Sequence, residues 1–236
     1  MQRRREFGRI RSTLAASWHF QALEGADLDR LAEIGRLQRL RHAERAMQAG
    51  TRDRLWIILS GAVRVSNQTP GSKEYVYAVL GPGSYFGLAT AVHDAPFPAD
   101  ARAFGATDLA AFRGDALAAM VEERPSLWRY VSDLLSRRLR LALLIMRDNS
   151  VAPLPERIAR RLLGHALSSD VRGLQEVQVR MTQTDLALML GGSRSRTNAA
   201  IKKLERLGLI RAGYRGITIL DLPGLRKLAG PGVTAY

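Results

Sequence analysis

Arginines and small polar residues are concentrated in one short stretch of the C-terminal third. Two segments that read as short helices meet at Gly191-Gly192, and the second opens with Ser193-Arg194-Ser195-Arg196 and continues to Lys202-Lys203. A helix whose first turn presents arginines and hydroxyl groups directs its N-terminus at an anionic partner with hydrogen-bonding edges. The stretch from Met181 to Ile210 therefore predicts a DNA-binding helix-turn-helix.

The residue types within this motif predict separate roles. Thr182 followed by Asp185 is a variant capping box that starts the first helix, and Ser193 is placed to cap the second. Arginine can bond both N7 and O6 of guanine, as asparagine can bond adenine, so Arg194 is the main candidate for base recognition. Hydroxyl, amide and ammonium groups suit phosphate oxygens, and ordinary solvated surface is the alternative for any single position. The predicted DNA-binding residues are Thr182, Gln183, Ser193, Arg194, Ser195, Arg196, Thr197, Asn198 and Lys202, with Lys203 as a further phosphate ligand.

The net charge of +14 is distributed unevenly along the 236 residues. Residues 153–236 hold 14 Lys/Arg against 6 Asp/Glu, and residues 1–11 hold 5 against 1, whereas residues 12–152 hold 17 against 15. This distribution predicts that one domain meets a polyanion and another does not. An arginine-rich coding bias is the alternative, but a bias alone would not leave the middle nearly neutral.

The composition narrows the class of protein further. The chain is long enough for one large or two small domains with cores of their own. It has no apolar run of the roughly 20 residues that a membrane span needs, and no leader that resembles a signal peptide, so we expect a cytoplasmic protein without a membrane partner. Because it contains no cysteine, disulfides, thiolate–metal sites and Cys-ligated iron–sulfur clusters are excluded.

The first 112 residues read as a basic arm, a helix and a set of strands. Residues 1–17 lack clear periodicity and predict a disordered arm, and residues 19–34 have helical spacing with Asp27 as the expected N-cap. Short apolar runs separated by glycines then indicate an antiparallel barrel or sandwich. The predicted strands include residues 55–59, 62–65, 75–80 and 109–112.

A long helix is predicted from Pro125 to about Ser150. Proline suits the first helical position, and about 26 residues at 1.5 Å each give a helix of roughly 39 Å. Two apolar stripes run along it, one of them formed by Leu135, Leu139, Ala142 and Met146. Two stripes need two partners, so we predict that one packs on the chain's own barrel and the other on the same helix of a second copy. A single long core helix in a monomer is the alternative.

The segment Val151-Ala-Pro-Leu-Pro155 cannot be helical throughout and is placed as the domain boundary and hinge. Beyond it we predict a helix over residues 156–168 and a strand over residues 177–181. The helix-turn-helix follows, and residues 210–220 read as two strands around a Gly213–Gly216 turn, a β wing.

The chain resembles the cyclic-AMP receptor protein / fumarate–nitrate reduction regulator (CRP/FNR) family from about residue 18 to residue 222. The residues that carry the resemblance are 182–187, 191–194 and 204–210, together with 59–64, 81–87 and Pro125 with its long helix. The resemblance implies an α+β fold with an N-terminal cyclic-nucleotide-binding-like β-roll, a long dimerisation helix and a C-terminal winged helix-turn-helix. The expected regions are a basic arm (1–17), a sensor domain (18–124), a dimerisation helix and hinge (125–152) and a DNA-binding domain (153–236). It also implies a homodimer on two-fold symmetric double-stranded DNA, with RNA polymerase as a further partner.

The chain departs from the cyclic-AMP-binding members of the family at the effector site. Those members have Glu after the glycine of the phosphate cassette, where Leu88 follows Gly87 here, and residues 96–101 lack their phosphate-binding arginine. Ala142-Leu143 stands where they place Thr-Ser against the adenine, so we expect that cyclic AMP is not the effector. The same resemblance places the effector pocket at Tyr85, Phe86, Gly87, Leu88, Ala89, Thr90 and Ala142. On the reading helix, Ser195 and Ala199 replace a common Glu and Arg, so the family's DNA sequence does not carry over.

Other functions are alternatives to a regulator with an unidentified effector. The histidines have no metal-ligand spacing, although His93 or His42 would be the candidate ligand of a haem-binding sensor. Catalytic motifs are missing from the sequence, so no enzyme is predicted. A cyclic-nucleotide-binding module without DNA function would leave the basic C-terminal third unexplained, while a constitutive DNA-binding protein with a vestigial sensor domain stays open. Our working hypothesis is that the sensor moves the DNA-reading helices through a hinge at Pro153–Pro155.

Overall fold

A computed structural model describes residues 1–68, 74–167, 176–213 and 216–230. Within these ranges no helix is both long and apolar enough to span a membrane. The helices are α1 (Gln2–Ala16), α2 (Gly25–Ile34), α3 (Leu88–His93), α4 (Gly114–Glu123), α5 (Leu127–Val151), α6 (Leu154–Leu167), α7 (Gln183–Leu190), α8 (Arg194–Arg206) and α9 (Leu222–Ala229). The strands are β1 (Arg36–Leu40), β2 (Arg45–Met47), β3 (Arg54–Ser60), β4 (Val63–Gln68), β5 (Glu74–Leu80), β6 (Tyr85–Phe86), β7 (Asp100–Ala103), β8 (Thr107–Arg113), β9 (Val177–Val179), β10 (Ile210–Gly213) and β11 (Gly216–Ile219).

The chain forms two compact units. The first contains Met1–Asn67 and Leu80–Arg137, and the second contains Gln68–Val79 and Arg138–Tyr236. The division falls inside α5, whereas the sequence placed a domain boundary at residues 151–155.

Antiparallel sheets form the centre of the first unit. One sheet has the order β1-β8-β3-β6, and a second contains β2, β7 and β4 as successive neighbours. Strand β3 shows why two cores result, because its side chains alternate between the two faces of the sheet. Trp56 and Ile58 lie in a cluster shared by both sheets, whereas Leu55, Ile57 and Leu59 lie in a cluster shared with the helices. The predicted β-roll is confirmed.

The N-terminal segment is a helix, so the prediction of a disordered arm over residues 1–17 is wrong. Helix α1 packs against α2, β1 and β3, and Ile10 and Leu14 are fully buried. Together with Phe7, which packs on the same cluster, these residues form one apolar stripe at helical spacing. Arg9 of the same helix pairs with Asp108 at 2.5 Å. The many arginines around the stripe hid its periodicity in the sequence.

Helix α2 begins three residues earlier than an N-cap at Asp27 would set, with Glu24 as its N-cap. Asp27 does not cap it, because this carboxylate lies in the first turn and pairs with Arg124 at 2.6 Å. The side chain of Asp27 is only 4% exposed. A long-range ion pair therefore replaces the local role that the sequence predicted.

Helix α5 begins at Leu127, after Pro125, and has 25 residues. In its first part Leu127, Val131 and Leu134 are buried, and Leu127 and Leu134 belong to the helix-side cluster of the first unit. Further along, Leu139, Leu143 and Met146 are 63%, 57% and 64% exposed. The helix therefore uses one apolar stripe inside its own chain and leaves other apolar side chains uncovered.

The second unit contains the predicted helix-turn-helix and wing. Helix α6 contributes the buried residues Ile158, Leu162 and Leu163, and α6 packs against α7, α8 and α9. Strands β9, β10 and β11 form an antiparallel sheet of order β10-β11-β9, with Ile210 opposite Ile219 and Gly213 opposite Gly216. These elements present α7 and α8 on a continuous core.

Candidate nucleic-acid interface

Helix α7 starts with the predicted capping box. The Thr182 hydroxyl accepts a hydrogen bond from the Asp185 backbone N–H at 3.0 Å, and the Asp185 carboxylate accepts from the Thr182 N–H at 3.1 Å. The same hydroxyl donates its hydrogen to the Asp185 carboxylate at 2.6 Å. Because this hydrogen is already used, the predicted donation from the Thr182 side chain to a phosphate is not available in this arrangement. Gln183 is half-buried in the first turn of α7.

A glycine turn and a serine cap set the start of α8. Gly191 has a left-handed backbone with φ of 60°, which lets α7 end and the chain reverse. Two residues later, the Ser193 hydroxyl accepts from the Arg196 N–H at 3.2 Å and caps α8 as predicted. The backbone N–H groups of Arg194 and Ser195 then point out of the helix end, where an anion is favourable.

Helix α8 has one buried face and one exposed basic face. Thr197, Ala200, Ile201 and Leu204 follow helical spacing and are buried. The opposite side carries Ser195, Ala199, Lys202 and Arg206, all of them exposed. The cationic side chains of α8 are Arg194, Arg196, Lys202, Lys203 and Arg206, against a single acidic residue, Glu205.

Most of the predicted DNA-binding residues lie at this surface. Ser193, Arg194, Ser195, Arg196 and Lys202 are exposed. Asn198 is half-buried beside them, with its Oδ1 atom buried. Thr197 was predicted wrongly, because it is fully buried in the contact between α8 and the core. It lies three residues before Ala200 and four before Ile201, and therefore on the same buried side of the helix.

Two further cations near the motif were missed by the sequence reasoning. Arg206 is exposed one turn beyond Lys202, and the spacing of four residues was the available signal. Arg180 is exposed just before α7. Arg211 of the wing strand β10 is exposed as well, but it pairs with Glu176 at 2.9 Å. The tip of the wing, residues 214–215, lies outside the described residues.

Tyr85 and Phe86 of the predicted effector pocket do not face the same space. Tyr85 lies in the helix-side cluster and donates to the Leu134 carbonyl at 3.4 Å, whereas Phe86 lies inside the roll with its ring 6.2 Å from that of Trp56. Neighbouring residues of a strand point to opposite faces, which corrects the grouping of these two side chains. Of the remaining residues of the set, Gly87, Leu88 and Thr90 are buried, Ala89 is exposed, and Ala142 belongs to the second unit.

The candidate haem ligands have other neighbours. The Nδ1 atom of His42 accepts from the Gly105 N–H at 3.0 Å, and the ring of His93 stacks at 6.5 Å on Trp128. Among the residues that the structure describes, no group of three or more acidic or His side chains could hold a metal ion.

His165 of α6 has a pKa that differs clearly from the ordinary histidine value. Burial, with a smaller contribution from the positive charge of Arg161, lowers the pKa of His165 to about 4. This residue is therefore neutral at physiological pH.

The comparisons with known proteins match both parts of the chain. A Crp-like helix-turn-helix domain model matches residues 156–228, and a cyclic nucleotide-binding domain model matches residues 37–124. The CRP-like cAMP-activated global transcriptional regulator of Mycobacterium tuberculosis is 28% identical over 179 residues, which are 75% of this chain and 80% of that protein. The nitrogen fixation regulation protein FixK of Bradyrhizobium diazoefficiens is 27% identical over 216 residues, 88% of either chain. The solved structure of FixK2 from Bradyrhizobium japonicum has the same fold, with a TM-score of 0.73 at 19% identity over 84% of this chain and 99% of that one.

Fold, motif and comparisons define the class of this protein. It is a transcription regulator with a β-roll that matches the cyclic nucleotide-binding domain family and with a helix-turn-helix DNA-binding domain. The chain belongs to the CRP/FNR family.

Proposed function

We propose that this regulator binds a two-fold symmetric DNA operator as a homodimer, with Arg194 as a principal base-reading residue. The observation that carries the proposal is α8 itself, because its exposed side is basic and its first turn presents Arg194 and Arg196 beside free backbone N–H groups. Ser193, Ser195, Gln183 and Lys202 are proposed as phosphate or groove ligands around it.

The test of Arg194 starts from a DNA sequence selected by the wild-type protein from a random pool. Arg194→Ala should weaken binding to that sequence by about tenfold or more, while salt-dependent binding to a scrambled duplex persists. Arg226→Ala is the matched control, since Arg226 is exposed on α9 and its loss also removes one positive charge. An unchanged operator preference of Arg194→Ala would refute the role.

The homodimer is supported by the uncovered side chains of α5. Leu139 and Met146 belong to the stripe with 4-3-4 spacing, and they are more than half exposed together with Leu143. Light scattering should give twice the 26.1 kDa mass of the chain. Leu143→Asp should produce monomers and Ser150→Asp, also exposed, should not. A monomer mass for the wild-type protein would exclude the proposed dimer.

We also propose that the effector of the roll is not cyclic AMP. Leu88 replaces an acidic residue and is buried. The first arginine after residues 96–101 is Arg102. It lies between the inward-facing residues Ala101 and Ala103 of the strand and pairs with Asp100 at 3.3 Å, which supports an outward position of its side chain. A cyclic phosphate in the roll would then lose its hydration without a cationic partner. Calorimetry with cyclic AMP should show no binding, and micromolar affinity would refute this proposal.

A constitutive regulator with a vestigial sensor domain is the second candidate. It is favoured by the aromatic side chains Trp56, Phe86 and Phe97, which are at most 9% exposed and pack together inside the roll. If no member of a metabolite library raises the melting temperature, this candidate is preferred, because a ligand of the folded state must stabilise it. In either case we propose action in the cytoplasm with RNA polymerase as a partner, which the transcriptional role of its relatives supports.

A further inference from the structure

The junction between α5 and α6 is very short. Only Ala152 and Pro153 separate the two helices. Pro155 lies in the first turn of α6, where its missing N–H costs no hydrogen bond within the helix. The stiffness of the junction therefore depends on the side chains that cross it.

Arg157 crosses the junction and reaches the turn before α8. Its Nη2 atom donates to the Oδ1 atom of Asn149 at 2.9 Å and to the backbone carbonyl of Leu190. Leu190 is the last residue of α7, where carbonyl groups lack partners within the helix and a cation is favourable. Gly191 follows and starts the turn into α8. One guanidinium group thus joins the last turn of α5 to the turn that orients α8.

Arg160 makes a second link from the same helical turn. Its Nη1 atom lies 2.6 Å from the Asp148 carboxylate, and the two side chains are 12% and 8% exposed. Its Nε atom donates to the Ala229 carbonyl at the end of α9 at 2.7 Å. Burial by itself would raise the pKa of Asp148, but hydrogen bonds from Arg147 and Arg160 outweigh it and hold this pKa below its usual range. The pair is therefore fully charged at neutral pH.

We propose that Arg157 and Arg160 are positioning residues for α8. They hold Asp148 and Asn149, so that the last turn of α5 and the helix-turn-helix move as one body. The junction at Pro153 is then rigid, and this proposal replaces our hypothesis of a flexible hinge at Pro153–Pro155. The proposal rests on α8 being the DNA reader, and it adds the path by which a movement of the end of α5 reaches that helix.

A double-mutant cycle on operator affinity tests the Arg157 link. Asn149→Ala and Arg157→Gln should each weaken binding to the selected operator by about tenfold or more. The double variant should bind no more weakly than Arg157→Gln alone, because both changes remove the same link. Affinity for a scrambled duplex should stay within about twofold, as it should in Arg226→Gln, which removes one exposed positive charge. Additive losses, or single variants equal to the wild type, would overturn the proposal.

Amide hydrogen exchange tests the Arg157 link independently of any operator. Asn149→Ala keeps the bond from Arg157 to Leu190, so its fold should be retained, with an unchanged thermal transition as the control. Exchange of the hydrogen-bonded amides in the last turn of α7, and of Arg196 and Thr197 at the start of α8, should be about tenfold faster than in the wild type. Unchanged exchange at these amides would overturn the proposed role of the Arg157 link. If the wild-type protein selects no DNA sequence, the proposed function is refuted instead. The exchange experiment still shows whether the Arg157 link holds the start of α8.

Discussion

The charge state of His165 predicts how the stability of the second unit depends on pH. The pKa is about 4 in the folded chain against an ordinary value of 6.5, so the unfolded chain takes up a proton first as the pH falls. Stability contributed by neutral His165 is then complete above pH 6.5 and is lost progressively between pH 6.5 and 4. Each unit of pKa difference corresponds to about 1.4 kcal/mol, which gives a total loss of roughly 3 kcal/mol.

The measurement compares the wild type with His165→Leu, which cannot titrate. Urea unfolding is followed at pH 7.5, 6 and 4.5, so that one value lies above the expected interval of about pH 4–6.5 and two lie inside it. Far-UV circular dichroism reports both units, whereas the fluorescence of Trp18, Trp56 and Trp128 reports the first unit. The difference in free energy of unfolding between wild type and variant should change by about 2.5 kcal/mol between pH 7.5 and 4.5.

The titration of Asp148 does not produce the same pH dependence. The pKa of Asp148 is held below its usual range, so the stability that this carboxylate contributes is lost only at lower pH and in both proteins alike. His93→Leu, the same substitution at an exposed histidine of the first unit, is the matched control for the loss of an imidazole elsewhere in the chain. Parallel pH profiles for wild type and His165→Leu would refute the argument from burial.

Two predictions concern the first unit, and both are measured by urea unfolding with tryptophan fluorescence. Ile10→Ala should lower the free energy of unfolding by about 3 kcal/mol, because Ile10 is fully buried on the sheet. Arg5→Ala, on the exposed side of α1, should have little effect. Equal effects of the two substitutions would favour an undocked arm. Gly87→Ala should cost at least about 2 kcal/mol more than Gly105→Ala. Both glycines have φ of 84°, but a Cβ atom at Gly87 would collide with the Arg54 carbonyl oxygen, whereas one at Gly105 would meet open space. Similar losses in the two variants would show that backbone conformation alone, rather than the close approach, sets the cost.

The helix-turn-helix could be predicted from the sequence because its signals are local. The capping pair of Thr182 and Asp185 spans three residues, as does the cap from Ser193 to Arg196. Local spacing also fixes which strands form, since alternation and glycine turns act within a few residues. Thr197 was assigned to the surface because of the arginines around it, although its helical spacing from Ile201 and Leu204 places it on the buried side of α8.

Long-range contacts decided what the sequence could not. Asp27 looks like a helix cap until Arg124, 97 positions later in the chain, is seen to bind it. The predicted effector residues Tyr85 and Phe86 are neighbours in the chain, yet the sheet sends them into different cores.

The sequence by itself therefore determined the class of protein and the elements of its DNA-reading motif, because periodicity, caps and turns depend on nearby residues. The tertiary structure decided that the N-terminal segment is a docked helix, and it revealed the contacts of Arg157 with Asn149 and Leu190. Such contacts join residues that no local pattern relates, so they exist only once the chain has folded.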